Sequence, residues 1–393
     1  MVKSNSFGRG RSKIYLDSAA SVTANPSSIH QLGVEAKNKL QNARQKVADV
    51  LCSRPEEIIF TSGGTESNNL AIQGAILAWH EKNKEKKLPH IITTNIEHPS
   101  VLETCRLLQK RKLAQISIVP VEASGIVDPK KIRKAIRSNT VLVSVMYANN
   151  EIGTIQPIRE IAKEIRHYKK TRAKSLALSA YPIFHTDAVQ AANYLDLNVE
   201  KLGVDLLSLS GSKIEKAGRV GVLYKKKTVK LTNLFGGGDQ EMGLRPGTEN
   251  LPEILKFANA LQSAQKIKEK ESKRLNTLRD YFISSLIRAN KRIVINGEIK
   301  DRLPNNINIT IPKIPSDLLV IELSARGIMV SSKSACKSSK AGGSYVIQAI
   351  HPELDSEIGG LRFSLDRRTT KKDIDYTVQV LSEILQKLKK WYK

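Results

Sequence analysis

Between residues 58 and 224 the chain repeats one pattern: a short apolar run, a cluster of small or polar residues, then apolar positions three and four apart. The runs at 58–61, 90–94, 115–119, 140–147, 183–186, 205–210 and 220–224 read as strands, and 67–80, 101–112, 129–137 and 158–169 as the helices between them. Strand and helix in alternation predict a mainly parallel sheet with helices on both faces. Ahead of this block, Leu32, Ala36, Leu40, Ala43, Val47 and Val50 mark one face of a helix, and residues 14–17 read as a first strand. Residues 171–181 look like a loop insertion. Near residue 250 the style changes: a lysine-rich helical stretch over 254–290 leads to shorter elements at 305–311, 317–326, 328–332, 361–365 and 371–391, which read as a smaller α+β domain. The expected division is an N-terminal segment, 1–20, packing with the small domain, a large domain, 21–258, and a small C-terminal domain, 259–393.

At 393 residues with 40% apolar content the chain can bury a large core. No apolar run approaches the roughly 18 residues of a membrane span. Residues 1–13 are basic and serine-rich, without the apolar centre of a secretory signal. Three widely spaced cysteines, Cys52, Cys105 and Cys336, argue against a disulfide framework or a zinc site and make a reducing cytoplasm the default. The net charge of +26 fits a solvated basic surface, an acidic protein partner or tRNA. Aromatic residues make up only 5% and do not interleave with the lysines, which favours the solvated surface.

Asp205-Leu-Leu-Ser-Leu-Ser-Gly-Ser-Lys213 is a strand that ends in hydroxyl residues and one lysine, which puts a primary amine beside oxygen ligands at the carboxyl edge of a sheet. A lysine that bonds to a carbonyl cofactor needs that setting. In Phe184-His-Thr-Asp-Ala-Val-Gln190, Asp187 either pairs with a protonated pyridine nitrogen, with Gln190 near a ring oxygen, or caps a helix. Thr61-Ser-Gly-Gly-Thr-Glu66 is either a phosphate cradle at a helix start or an ordinary glycine turn. His98, in Glu97-His-Pro-Ser100, either stacks on an aromatic ring and shuttles protons or caps the next helix. Asn150 either donates to a ligand oxygen or belongs to a turn. The glycine-dense run from Gly236 to Thr248 is too long for a plain turn, and Thr248 is a further phosphate ligand candidate. Cys336 stands in a polar, lysine-flanked, glycine-containing loop, where nearby cations favour the nucleophilic thiolate. Arg362 suits bidentate carboxylate binding or a surface ion pair.

Taken together, these stretches resemble the cysteine desulfurases of the class V aminotransferase group, pyridoxal-phosphate enzymes of fold type I. The resemblance runs from Tyr15-Leu-Asp-Ser-Ala-Ala20 to Leu361-Arg-Phe-Ser-Leu365 and includes Asn25 to His30, Thr61 to Asn69, Glu97 to Cys105, Asn149 to Thr154, His185 to Gln190, Ser208 to Lys213, Leu244 to Asn250 and Ser334-Ala-Cys336. It implies a mainly parallel seven-stranded sheet between helices, plus the smaller domain. It also implies that Lys213 bonds to pyridoxal 5'-phosphate and His98 stacks on its ring, while Asp187 binds the pyridine nitrogen and Gln190 the ring hydroxyl. Thr65, Ser210, Ser212 and the backbone around Gly64 would hold the phosphate. Asn150 and Arg362 would fix the carboxylate of L-cysteine. Cys336 would take the substrate sulfur as a persulfide, leaving L-alanine, and pass it to an acceptor for iron–sulfur cluster assembly or tRNA thiolation. The resemblance further implies a homodimer in which Thr248 serves the partner's phosphate. No intrinsic metal is expected.

Four features depart from the usual pattern of that family: Ser212 where histidine is common, Glu215-Lys-Ala-Gly218 in place of a Gly-Pro-Lys-Gly-like turn, a shorter stretch between Ser18 and Asn25, and Lys333 and Lys337 around the cysteine. The last favours an acidic acceptor or a lower Cys336 pKa. Two other readings are a selenocysteine lyase or other class V enzyme with the same cofactor, and a non-catalytic basic scaffold or RNA-binding protein on the same fold.

Overall fold

A computed structural model describes residues 14–22, 24–83, 87–172, 181–332, 343–354 and 358–390. In chain order the elements are α1 (Gln31–Leu51), β1 (Ile58–Thr61), α2 (Gly64–Lys82), β2 (His90–Thr94), α3 (Pro99–Lys110), β3 (Gln115–Val119), α4 (Pro129–Ala135), β4 (Thr140–Ser144), α5 (Ile158–Arg172), β5 (Ile183–Asp187), α6 (Val199–Leu202), β6 (Leu206–Ser210) and β7 (Gly221–Lys225). The second set is α7 (Leu251–Ala289), β8 (Val294–Ile295), β9 (Asn306–Thr310), α8 (Ser316–Ser324), α9 (Tyr345–Ile350), β10 (Leu361–Ser364) and α10 (Lys371–Leu388).

The first seven strands form one sheet in the order β1-β7-β6-β5-β4-β2-β3. Every pairing from β6 to β3 is parallel, and β7 runs antiparallel to both β6 and β1. The inner strands are buried on both faces, which is why they read as continuous apolar runs rather than as alternation. One face packs on α1, α5 and the first turns of α7, through residues such as Leu40, Ile161 and Phe257. The other face packs on α2 and α3, through Ile72, Ile76, Val101 and Leu108. α2 is apolar or small over most of its circumference and is correspondingly buried. Each of its fully buried isoleucines contributes roughly 1.5–3 kcal/mol. Gly74 lies on the side of α2 where Thr232 N–H donates to its carbonyl at 3.1 Å; a Cβ there would stand 2.9 Å from the Thr232 oxygen.

A second core gathers Phe282, Leu286, Ile307, Ile309, Phe363 and Leu381 around the antiparallel sheet β10-β9-β8. α7 serves both cores: Ile254 to Ala264 face the first, Leu275 to Leu286 the second. α9 packs its Val346, Ile347 and Ile350 into the first core.

Some sequence expectations change. Residues 14–17 form no strand; Ile14 and Leu16 are 83% and 93% exposed, and among the described residues no neighbouring strand offers them a ladder. Residues 328–332 contribute only the bridge of Ser331 to Arg362. Helix α2 begins at Gly64, earlier than apolar spacing alone places it, and α5 reaches Arg172. The rest of the expected 171–181 insertion lies largely outside the described residues. Among the described residues no helix is long and apolar enough to cross a membrane, and no group of His, Cys, Asp and Glu could hold a metal ion.

Two histidines stitch the sheet from within. His90 on β2 bonds Thr140 Oγ1 and Ser117 Oγ, each at 2.8 Å, and His185 on β5 bonds Ser144 Oγ at 2.8 Å and Ser208 Oγ at 2.9 Å. Burial, with Arg137 nearby, pushes His90 down to about 4, and burial alone pushes His185 down to about 3. An unfolded histidine takes a proton below about 6.5 and these folded ones do not, so their stabilisation is full above that pH and is lost as pH falls toward 4. The urea midpoint of His90→Gln should therefore fall less steeply than the parent's between pH 6.5 and 4; parallel slopes would contradict the assignment.

Candidate functional site

The carboxyl ends of β1, β2, β4, β5 and β6 converge on a cavity of about 660 Å³ that the small domain covers from the other side. This is the edge at which ligands bind open α/β sheets. Its lining includes Gly64, Thr65, His98, Asn150, Asp187, Gln190, Ser210, Ser212, Lys213 and Arg362, all expected together from the sequence.

Lys213 closes a short turn after β6, and Asn193 Nδ2 donates to its carbonyl at 2.7 Å. Just before it, Ser210 Oγ and Ser212 Oγ stand 3.0 Å apart. Across from them α2 begins without a side-chain cap, so the first-turn N–H groups are left for another partner. A Cβ on Gly64 would stand 2.9 Å from Val189 Cγ2 and 3.3 Å from Ser210 Cβ, so a glycine lets the helix start approach the hydroxyl pair. N–H groups with hydroxyls at a helix start form a cradle for an anion.

Asp187 ends β5 and is 5% exposed. Its Oδ1 accepts from Val189 N–H at 3.0 Å and its Oδ2 from Asn68 Nδ2 at 2.7 Å. His98 caps α3, accepting at Nδ1 from Ser100 N–H at 3.1 Å, and it also lines the cavity. Burial and the Lys213 ammonium draw its pKa below the ordinary value against the opposite pull of Asp187.

From the small domain, Arg362 on β10 donates through Nη1 to the Asn150 carbonyl at 2.8 Å. Burial lowers its pKa and the Glu151 carboxylate opposes that. Among the described residues, Arg362 Nε and Asn150 Oδ1 are both buried without a hydrogen-bond partner, an arrangement that a carboxylate and amine entering the cavity would relieve. Beside them, Ser331 exchanges two backbone hydrogen bonds with Arg362, at 3.2 and 2.7 Å, and Ser344 Oγ donates to Glu151 Oε2. The segment 333–342, with Cys336, lies outside the described residues; the residues that flank it are thus held at Arg362 and Glu151.

Thr248 is exposed and does not line this cavity. The glycine-rich run before it is pinned by two acids: Glu241 takes Arg44 Nη1 and Nη2 at 2.8 and 2.6 Å and Phe60 N–H at 2.8 Å, and Glu66 takes Arg245 Nε at 3.0 Å. Sequence reasoning passed over Asn68, Ser100, Glu151 and Glu241. Asn68 and Ser100 bond residues it did single out, Glu151 adjoins Asn150, and Glu241 lies inside the glycine-dense run, but only the folded chain shows what each touches. Glu97 is another: fully buried, with Thr94 and Met146 as donors, it is pushed up to about 8 by burial.

The family model for aminotransferase class-V matches residues 11–377. Among curated relatives, the cysteine desulfurase IscS of Dictyoglomus turgidum is 42% identical over 93% of this chain and 88% of its own length. The cysteine desulfurase IscS of Methanosarcina thermophila is 43% identical over 93% and 86%. A solved NifS-like protein superposes with a TM-score of 0.82 at 34% identity, covering 93% of this chain and 92% of that one.

The Arg44–Glu241 pair is buried on both sides. Arg44→Met leaves a buried acid without its cation and should lower the unfolding free energy by about 3–5 kcal/mol in urea titration. Adding Glu241→Met should recover part of the loss. A loss below ~1 kcal/mol, the scale of an exposed pair, would mean that the pair does not hold the loop.

Proposed function

The chain belongs to the aminotransferase class-V family and is a cysteine desulfurase, and from that premise we propose how its residues divide the work. The carrying observation is that one cavity gathers an amine, a buried carboxylate, an uncapped helix start with two hydroxyls, and an arginine with an unpartnered Nε. That set suits pyridoxal 5'-phosphate and an amino-acid substrate. Lys213 would bond to the cofactor. Asp187 would face its ring nitrogen, Gln190 its phenolic oxygen and His98 its ring face. Gly64, Thr65, Ser210 and Ser212 would hold its phosphate. When bound, the cofactor supplies an electrophilic carbon for an amine and a ring that spreads the negative charge left at the substrate Cα.

Around it the chain's own groups do the rest. Arg362 and Asn150 fix the carboxylate of cysteine, which presents Cα to Lys213. Lys213 removes the Cα proton. The Cys336 thiolate attacks the substrate sulfur: an S–S bond forms and the Cβ–S bond breaks. Its electron pair stays with the carbon fragment, which takes protons and leaves as alanine. The persulfide on Cys336 then passes to an acceptor protein, for iron–sulfur cluster assembly or tRNA thiolation. Because Ser331 and Ser344 anchor beside Arg362 and Glu151, substrate bound at Arg362 lies next to both flanks of the cysteine segment.

The protein acts as a homodimer in this reading. Ile14, Leu16, Val22 and Ile29 are exposed, and a hollow between α1 and the glycine-rich run includes Val34 and Met242, a surface that a second copy would bury. Thr248 would then reach the partner's phosphate. The boundary between the large and small domains falls within α7, which serves both cores. Cys52 and Cys105 are free thiols, in keeping with a cytoplasmic setting.

Purified protein should absorb in the near-visible, and Lys213→Ala should lose that band and alanine formation together. Cys336→Ala should keep the band and lose sulfide release by at least ~100-fold, about 2.7 kcal/mol in barrier. A colourless parent, or normal sulfide release from Cys336→Ala, would overturn the assignment. Arg362→Lys gives up the forked geometry of a charged hydrogen bond worth about 1.5–3 kcal/mol, so KM for cysteine should rise by roughly 10- to 100-fold with a smaller change in kcat. An unchanged KM would remove Arg362 from substrate binding.

A further inference from the structure

Behind Asp187 and His98 runs a polar chain that the reading above leaves unused. Asn68, on the inner face of the first turns of α2, is 1% exposed. Its amide nitrogen gives one N–H to Asp187 Oδ2 at 2.7 Å and the other to Ser100 Oγ at 2.9 Å. Ser100 Oγ stands 2.7 Å from His98 Nδ1, and the Ser100 backbone N–H donates to the same nitrogen at 3.1 Å.

The direction of each bond is forced. With its oxygen toward Asp187, Asn68 would set two acceptors against each other, so the nitrogen faces the carboxylate. Its oxygen is then left buried with no partner among the described residues, a cost of a kind that persists only where the other contacts outweigh it. Ser100 Oγ already receives an N–H from Asn68, so its own O–H is available to donate. A backbone N–H can only donate. Both therefore point at a lone pair on Nδ1, and the single ring proton of the neutral imidazole stands on Nε2.

We propose that Asn68 and Ser100 are positioning residues that tie Asp187 to His98 and lock the His98 imidazole as its neutral Nε2–H tautomer. His98 then enters the reaction as a fixed N–H donor and not as a base. Naming the substrate sulfur as the atom it donates to rests on the desulfurase reading; the tautomer and the relay do not. A donor at that sulfur favours thiolate over thiol. Among the described residues, the charged groups that act on the ring include Asp187, which favours protonation, and Lys213, which together with burial opposes it; the net downward direction agrees with a neutral ring.

The test is a two-bond proton–nitrogen correlation spectrum of the purified protein labelled with ¹⁵N-histidine, with His98 assigned by its disappearance in His98→Gln. At pH 7 the parent should show an unprotonated Nδ1 and a protonated Nε2. Ser100→Ala and Asn68→Leu should each move the Nδ1 resonance toward that of a mixed tautomer, and Ser100→Thr should restore it. Across a pH series of the same spectra the titration midpoint of His98 should move up by ~0.5–1 pH unit in Ser100→Ala, since a donor that favours the neutral ring is gone. A parent ring protonated on Nδ1 or on both nitrogens at pH 7 would overturn the proposal without any relay variant having to fold. So would Ser100→Ala and Asn68→Leu spectra that match the parent's. Loss of the desulfurase reading would show separately, as a missing near-visible band, with the tautomer spectrum unaffected.

Discussion

A carboxylate at the end of β5 has almost no access to water, and the rest of the site is arranged around that fact. Asp187 is satisfied on one oxygen by the backbone of its own turn and on the other by Asn68. Neither neighbour is a cation, although a buried charge in low dielectric is stable only when paired or well solvated by dipoles. The Lys213 amine and the uncapped start of α2 stand on the same cavity. The sheet edge therefore carries a fixed negative end and a set of donors, with room between them for a ligand that bears both charges.

The small domain closes this edge with few polar contacts. Arg362 reaches across to the Asn150 carbonyl, Asn306 and Asn308 donate to the Glu151 carbonyl at 3.1 and 3.0 Å, and Ser344 bonds the Glu151 carboxylate. Glu151 thus joins the strand-end turn of the large sheet, the arginine of the small one and the flank of the cysteine segment. The Arg362 guanidinium and the Ser344 hydroxyl therefore act on one carboxylate. On the opposite side of the sheet edge, Glu241 and Glu66 do similar work for the glycine-rich run, each holding an arginine and a backbone N–H.

Much of this was legible from residue types. Continuous apolar runs gave away buried parallel strands, and the small and charged residues after them marked the edge where chemistry collects. Lys213, Asp187, His98, Asn150 and Arg362 stood out through their motifs taken together, since each residue alone also fits a structural role such as a cap, a turn or a surface charge. The failures have physical causes. Residues 14–17 have strand-like composition, but a strand needs a neighbour, and the described chain offers none. Asn68 follows a threonine, a glutamate and a serine on a helix and looks like any polar residue there; its place 2.7 Å from Asp187 depends on packing α2 across the ends of β5 and β6.

The sequence by itself determined the alternation, the sheet, the two cores and the chemical character of each strand end, because periodicity and side-chain type are local properties. It also specified a thiol in a cationic context at Cys336. Only the tertiary structure decided which of those ends face one another, that His98 caps a helix and lines the cavity at once, and that Asn68, Ser100, Glu151 and Glu241 connect what they connect. Apart from the Ser100–His98 bonds, two positions apart, those are contacts between residues 32 to 197 positions apart. Their hydrogen bonds are set by how helices and sheets pack, and no local spacing encodes them.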